Sequence, residues 1–132
     1  MKDSRLGRYV LAAGPQPKER MPAFLDLADL VVLPLVDSAL ARSQTPCKIF
    51  EAMAMARPVI ATAISDLPLI LDGCGWVVPP GDADALARTI GEALGNPGAA
   101  ASRGQAAREK CARLYSKQQT ERDLVSVMES LA

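Results

Sequence analysis

Apolar positions in this chain fall into blocks of two kinds, and the kinds alternate. Residues 8–13 (RYVLAA), 30–35 (LVVLPL), 58–62 (PVIAT) and 75–78 (GWVV) are short, nearly continuous apolar runs. Runs of that length without in–out alternation fit strands covered on both faces, as in a parallel sheet. The segments between them carry helical spacing instead. Met21, Phe24, Leu25 and Ala28 mark one face over residues 17–27. Residues 46–56 read as a helix that is apolar almost all round, with Thr45 as N-cap and Pro46 in the first helical position. A helical turn is predicted at 66–71, and longer helices at 83–94 (capped by Asp82), 99–115 and 117–131. Gly14-Pro15, Pro79-Pro80-Gly81 and Asn96-Pro97-Gly98 punctuate them, and the polar stretch 37–45 reads as an irregular loop. Alternating strands and helices predict an α/β fold: a parallel sheet of about four strands with right-handed crossovers, flanking helices and a helical C-terminus. The 132 residues make one domain, or part of one, and contain no internal repeat.

Composition narrows the chemistry. Hydrophobic residues make up 49% of the chain but aromatics only 4%, so Ala, Leu, Val, Ile and Met must fill the core. Fifteen basic and fifteen acidic residues cancel, which leaves no electrostatic footprint for nucleic acid. The absence of histidine excludes a Ser-His-Asp or Cys-His nucleophile system within this chain and removes the commonest zinc ligand. Cys47, Cys74 and Cys111 are widely spaced and odd in number, which argues against a disulfide framework and for a reducing, cytoplasmic setting. Nothing resembles a signal peptide, and the longest apolar run is too short to span a bilayer.

The candidate chemistry lies at residues 46–62. Lys48 and Glu51 are three residues apart and therefore share a face near the start of an otherwise apolar helix. One reading is a plain ion pair between them, contributing a few tenths of a kcal/mol. The other is that they hold a polar ligand. A lysine in a first helical turn opposes the helix dipole by roughly 0.3–1 kcal/mol, a penalty that a bound phosphate reverses and that solvent exposure merely tolerates. Cys47 reads as a small packing residue, not a nucleophile. Trp76 reads as core or edge packing, and Asp66 and Asp72 as turn and loop residues.

Five landmarks in order carry a resemblance. They are Ala28-Asp29-Leu30-Val31-Val32-Leu33-Pro34, Phe50-Glu51-Ala52-Met53-Ala54, Arg57-Pro58-Val59-Ile60-Ala61-Thr62, Leu67-Pro68, and Gly75-Trp76-Val77-Val78-Pro79-Pro80-Gly81-Asp82 with Ala85-Leu86-Ala87 after it. Together they resemble the C-terminal half of the retaining GT-B glycosyltransferases of glycosyl transferases group 1. The resemblance implies a Rossmann-like domain that binds a nucleoside-diphosphate sugar, of UDP or GDP type, as substrate and needs no cofactor or metal. It also implies that the chain is a partial C-terminal domain. The facing N-terminal domain, and the strands that carry basic residues for the diphosphate, lie outside it.

Glu51 matches the second glutamate of the family's E-x7-E pattern, which accepts hydrogen bonds from the ribose hydroxyls. Two carboxylate oxygens suit two vicinal donors. Ser43 stands where the first glutamate is expected, and Pro46-Cys47-Lys48-Ile49-Phe50-Glu51 resembles a Pro-x-Lys-x-x-Glu variant that lacks it. The site implied is Ser43, Gln44, Thr45, Pro46, Cys47, Lys48 and Glu51, with the diphosphate at the helix start. Ala56 replaces a usual glycine, which predicts a slightly different turn, and Ser65 also replaces a glycine.

Two functions follow. The first is a donor-binding glycosyltransferase domain, inactive in isolation, whose partner is a missing N-terminal domain or a separate chain and whose full-length parent is peripheral to the membrane. The second is a non-catalytic interaction or self-association module. It is favoured by Ser43 and by the stripe Leu124, Val127, Met128 and Leu131, which either stays exposed or packs on the sheet. No G-x-G-x-x-G or G-x-x-x-x-G-K-[ST] pattern supports another nucleotide-binding fold.

Overall fold

The computed structural model describes residues 7–131, and three parallel strands form its spine. β1 (Val31–Leu33), β2 (Val59–Thr62) and β3 (Trp76–Val78) lie side by side in chain order. The register sets Val31 against Val59 and Ile60 against Trp76. All four residues of the central β2 are buried, and three of them are β-branched, which suits a strand packed on both faces. β1 is an edge strand and buries only Leu33, so the expectation of full burial holds for β2 and fails for β1.

The expected strand at residues 8–13 does not form. These residues are exposed, Leu11 at 91%, and pair with nothing in the sheet. A strand exists by virtue of a neighbour's ladder.

The pleat of β2 divides the core. Val59 and Ala61 point to one face, where they meet Ile49, Ala52 and Met53 of α3 (Lys48–Ala54), Leu67, Ile70 and Leu71 of α4 (Leu67–Leu71), and Ala107 and Cys111 of α6 (Pro97–Leu114). Ile60 points to the other face, with Val78 and with Leu86, Ile90 and Ala93 of α5 (Ala83–Gly95). Asp82 caps α5 as expected, its carboxylate accepting the Ala85 N–H at 2.8 Å. Asn96 and Ser116 do the same for α6 and for α7 (Lys117–Ser130). A 3-10 turn (Lys18–Arg20) and α1 (Met21–Asp26) realise the predicted helix before β1, and Arg57 ties them to the turn before β2 by donating to the Asp26 and Ala28 carbonyls and to the Asp26 carboxylate.

α6 reaches the layer beneath it closely because its inward positions are small: Ala100, Gly104, Ala107 and Cys111, all buried. α7 touches only α6 among the elements with substantial contact, and Leu124, Val127, Met128 and Leu131 remain more than half exposed. The stripe therefore does not pack on the sheet.

Candidate functional site

Ligands of open parallel sheets bind outside the carboxyl ends of the strands. Here that edge is built by the chain leaving β1, the turn after β2 and Pro79-Pro80-Gly81 after β3. Thr62, buried at the end of β2, donates its hydroxyl to the Leu35 carbonyl at 3.0 Å and so anchors the start of the loop that carries the implied site.

That loop is not irregular throughout. Residues Ala39–Arg42 form a helical turn, α2, capped by the Ser38 hydroxyl at 3.1 Å from the Ala41 N–H. Arg42 returns to Asp37 in a two-pronged pair at 2.6 and 2.7 Å, and this hydrogen bonding holds the Asp37 carboxyl below its usual range and raises Arg42. Ser38 ahead of Ala-Leu-Ala-Arg is an N-cap ahead of strong helix formers, a signal that was present in the sequence.

Ser43 ends α2, its hydroxyl donating to the Leu40 carbonyl at 2.9 Å. Gln44 and Pro46 line a small cavity of about 220 Å³ with Leu35, Ser38, Leu40 and Ala41. The helix starts later than expected: Lys48 is its first residue and Cys47 its N-cap, already in helical conformation and with no side-chain capping bond. Thr45 and Pro46 lie before it because the first turn closes on itself. Ile49 N–H donates to the Pro46 carbonyl at 3.1 Å and Phe50 N–H to the Cys47 carbonyl at 3.0 Å, which commits amides that an anion would otherwise meet. α3 is also less buried than its composition suggests, with Ile49, Ala52 and Met53 inside and Cys47, Lys48 and Ala54 exposed.

Glu51 is half-buried in the first turn of α3 and shares no ion pair with Lys48; among the described residues its carboxylate has no hydrogen-bond partner. It lines a groove of about 410 Å³ with Phe50, Ala54, Arg108, Cys111, Ala112, Tyr115 and Ser116. The implied residues thus divide between two concavities, Gln44 and Pro46 in one and Glu51 in the other. Phe50 and Tyr115 pack at 4.9 Å between ring centroids, tilted by 52°, and the Cys111 thiol sits 3.7 Å from the Phe50 carbonyl. Burial raises the Cys111 thiol, and burial together with the nearby Cys74, Asp66 and Cys111 raises Tyr115. No local pattern in the sequence pointed to Tyr115, which reaches α3 across 65 residues of chain. Another concavity, about 560 Å³ around Asp29, Arg57 and Gln105, lies at the opposite end of the strands and holds none of the implied residues.

The turn after α3 corrects the expectation for Ala56. Its N–H donates to the Met53 carbonyl and that of Arg57 to the Ala52 carbonyl, both at 2.9 Å, with Ala56 at φ 53°. That is a complete Schellman cap of the kind glycine usually makes, so the turn is kept and the alanine bears the left-handed conformation. Ser65, the other replaced glycine, is left-handed as well, at φ 52°.

A protein-family model described as Glycosyl transferases group 1 matches residues 2–96. The amylovoran biosynthesis glycosyltransferase AmsK of Erwinia amylovora is 31% identical over 138 residues, covering 98% of this chain and 33% of that protein. The putative colanic acid biosynthesis glycosyltransferase WcaL of Escherichia coli K12 is 34% identical over 122 residues, covering 89% of this chain and 30% of that protein. The chain thus spans about a third of the length of the curated relatives it matches. Among solved structures, sucrose-phosphate synthase from Thermosynechococcus elongatus superposes with a TM-score of 0.80 at 28% identity, over 96% of this chain and 31% of that one. Anabaena HepE in complex with UDP superposes with a TM-score of 0.68 at 18% identity, over 83% and 30%, a likeness of fold.

Proposed function

The chain belongs to the glycosyl transferases group 1 family, and from that premise we propose that it binds the nucleoside diphosphate of a sugar donor at the carboxyl edge of its sheet. Glu51 accepts the two ribose hydroxyls, and the segment Ser43, Gln44, Thr45, Pro46, Cys47 and Lys48 faces the diphosphate and sugar. The observation that carries this reading is the state of Glu51: half-buried, lining a groove, and without a hydrogen-bond partner among the described residues. A carboxylate so placed has both oxygens available for a vicinal diol. Lys48 is exposed and forms no ion pair among the described residues, which leaves its ammonium for phosphate. The UDP in the HepE complex supports the ligand class. The parent reaction is transfer of a hexose to an acceptor with retention, and the 132 residues alone do not perform it, since they span only about a third of the length of their relatives.

Calorimetric titration of UDP and of GDP into the purified chain tests the reading. Binding of one of them, weakened about tenfold or more in Glu51→Ala, is expected from the loss of one or two bonds to a charged acceptor, at about 1.5–3 kcal/mol each. An unchanged affinity in the variant refutes it. Sugar transfer by the isolated chain refutes the inactivity.

The exposed stripe on α7 favours the second reading, a self-association or interaction module. Absence of nucleotide binding together with a concentration-dependent dimer, lost in Met128→Lys, supports that reading over the first.

A further inference from the structure

The donor reading makes Glu51 the anchor of the ligand, and its chain neighbour Phe50 meets an aromatic ring from beyond the end of another helix. Tyr115 is the C-cap of α6, its N–H closing the last turn onto the Cys111 carbonyl at 2.9 Å. Ser116 follows in extended conformation and caps α7. Tyr115 therefore occupies the corner where α6 ends and α7 departs, and from there its ring leans on Phe50, the neighbour of Glu51 in α3. One turn earlier, Cys111 lies against the Phe50 carbonyl. The first turn of α3 has no side-chain capping bond of its own. Ile49, Ala52 and Met53 seat α3 in the core, the last turn of α6 adds the contact on Phe50, and Glu51 opens into the groove that Tyr115 and Ser116 wall.

We propose that Tyr115 is a positioning residue for Glu51, fixing the rotation of the first turn of α3 through the Phe50 ring so that the carboxylate meets the ribose diol. The proposal rests on the donor reading given above. A carboxylate stands about 6 Å from its helix axis, so a 15° rotation of α3 displaces it by about 1.5 Å. Recognition of a diol by two hydrogen bonds tolerates only about 0.5 Å.

The experiment is a titration of UDP into four forms of the chain and their combinations, with a thermal melt of each. Tyr115→Ala is expected to weaken UDP about tenfold, and Tyr115→Phe, which keeps the ring, to stay within twofold of the parent. In a Glu51→Gln background, where one of the two acceptor oxygens is lost, Tyr115→Ala is expected to cost clearly less than in the parent; a merely structural loss would add in full. Phe50→Leu serves the same purpose if Tyr115→Ala fails to fold, with the same expectations. Equal UDP affinity of Tyr115→Ala and the parent overturns the proposal, as does an additive loss in the Glu51→Gln background. If Glu51→Gln binds UDP as the parent does, the donor reading fails and this inference falls with it.

Discussion

The carbonyl oxygen of Ala56 occupies the place where a Cβ on Gly104 would stand. The left-handed Ala56 turns its carbonyl toward α6, and only a residue without a side chain lets α6 lie flat on that turn. The contact sets the distance between α6 and α3, and so the position of the groove beside Glu51.

Gly104→Ala must therefore shift backbone, since its closest obstacle is a peptide carbonyl and not a pliable side chain. A loss of about 1–3 kcal/mol is expected from overpacking, read as a lower urea midpoint at constant slope. An unchanged midpoint would mean that α6 does not rest on the Ala56 turn.

Ala56→Gly acts in the opposite direction. The left-handed alanine costs roughly 1–2 kcal/mol, and glycine removes that while adding roughly 0.5–1 kcal/mol of chain entropy in the unfolded state. A net gain of about 0.5–1 kcal/mol is expected in the same urea titration, with Gly104 contacts intact.

Thr62→Val keeps the shape of the buried side chain and deletes its hydroxyl. The Leu35 carbonyl then loses its donor, at a cost of about 1–3 kcal/mol. Faster amide exchange confined to residues 34–47 would show that Thr62 anchors the loop. Exchange spread evenly over the domain would contradict that role.

The thiols give a pH dependence with a defined sign. Burial raises Cys74 and Cys111 above the ordinary value of 9.0, Cys74 also feeling Lys110, Asp72 and Arg103. The folded state thus keeps both protons to a higher pH than the unfolded state does. Their contribution is fully present below the unfolded value and declines as pH rises above about 9 toward the folded values. Urea midpoints are expected to fall between pH 8.5 and 10.5, and a thiol reagent at pH 8 to modify Cys47 alone until denaturant exposes the other two. Modification of all three in the folded chain would show that the core around Cys111 opens freely.

Much of this protein was determined locally and could be read from the sequence. Val59–Thr62 reads as a strand and forms one, and Asp82 caps the helix it precedes, because a cap bonds within three residues of itself; Asn96 does the same for α6, which takes in Pro97 and Gly98 where the sequence read only a break. The order of landmarks from Ala28 to Ala87 sufficed for the family, and the motif among them singled out Glu51 as the candidate. Where the sequence misled, a distant partner decided. Residues 8–13 have the composition of a strand but join no ladder among the described residues, where β1 pairs on one side only, with β2. The start of α3 moved from Thr45 to Cys47 because its first turn closes on the Pro46 and Cys47 carbonyls, a choice of hydrogen bonds that composition leaves open. The conformation of Ala56 was decided by the Schellman cap together with the glycine of a helix 48 residues away, and the packing of Phe50 by the Tyr115 ring that follows the same helix. Caps, turns and apolar runs are short-range and belong to the sequence. Which edge is paired, which carboxylate is left without a partner and which face of α7 stays bare depend on contacts between elements, and those exist only once the chain has folded.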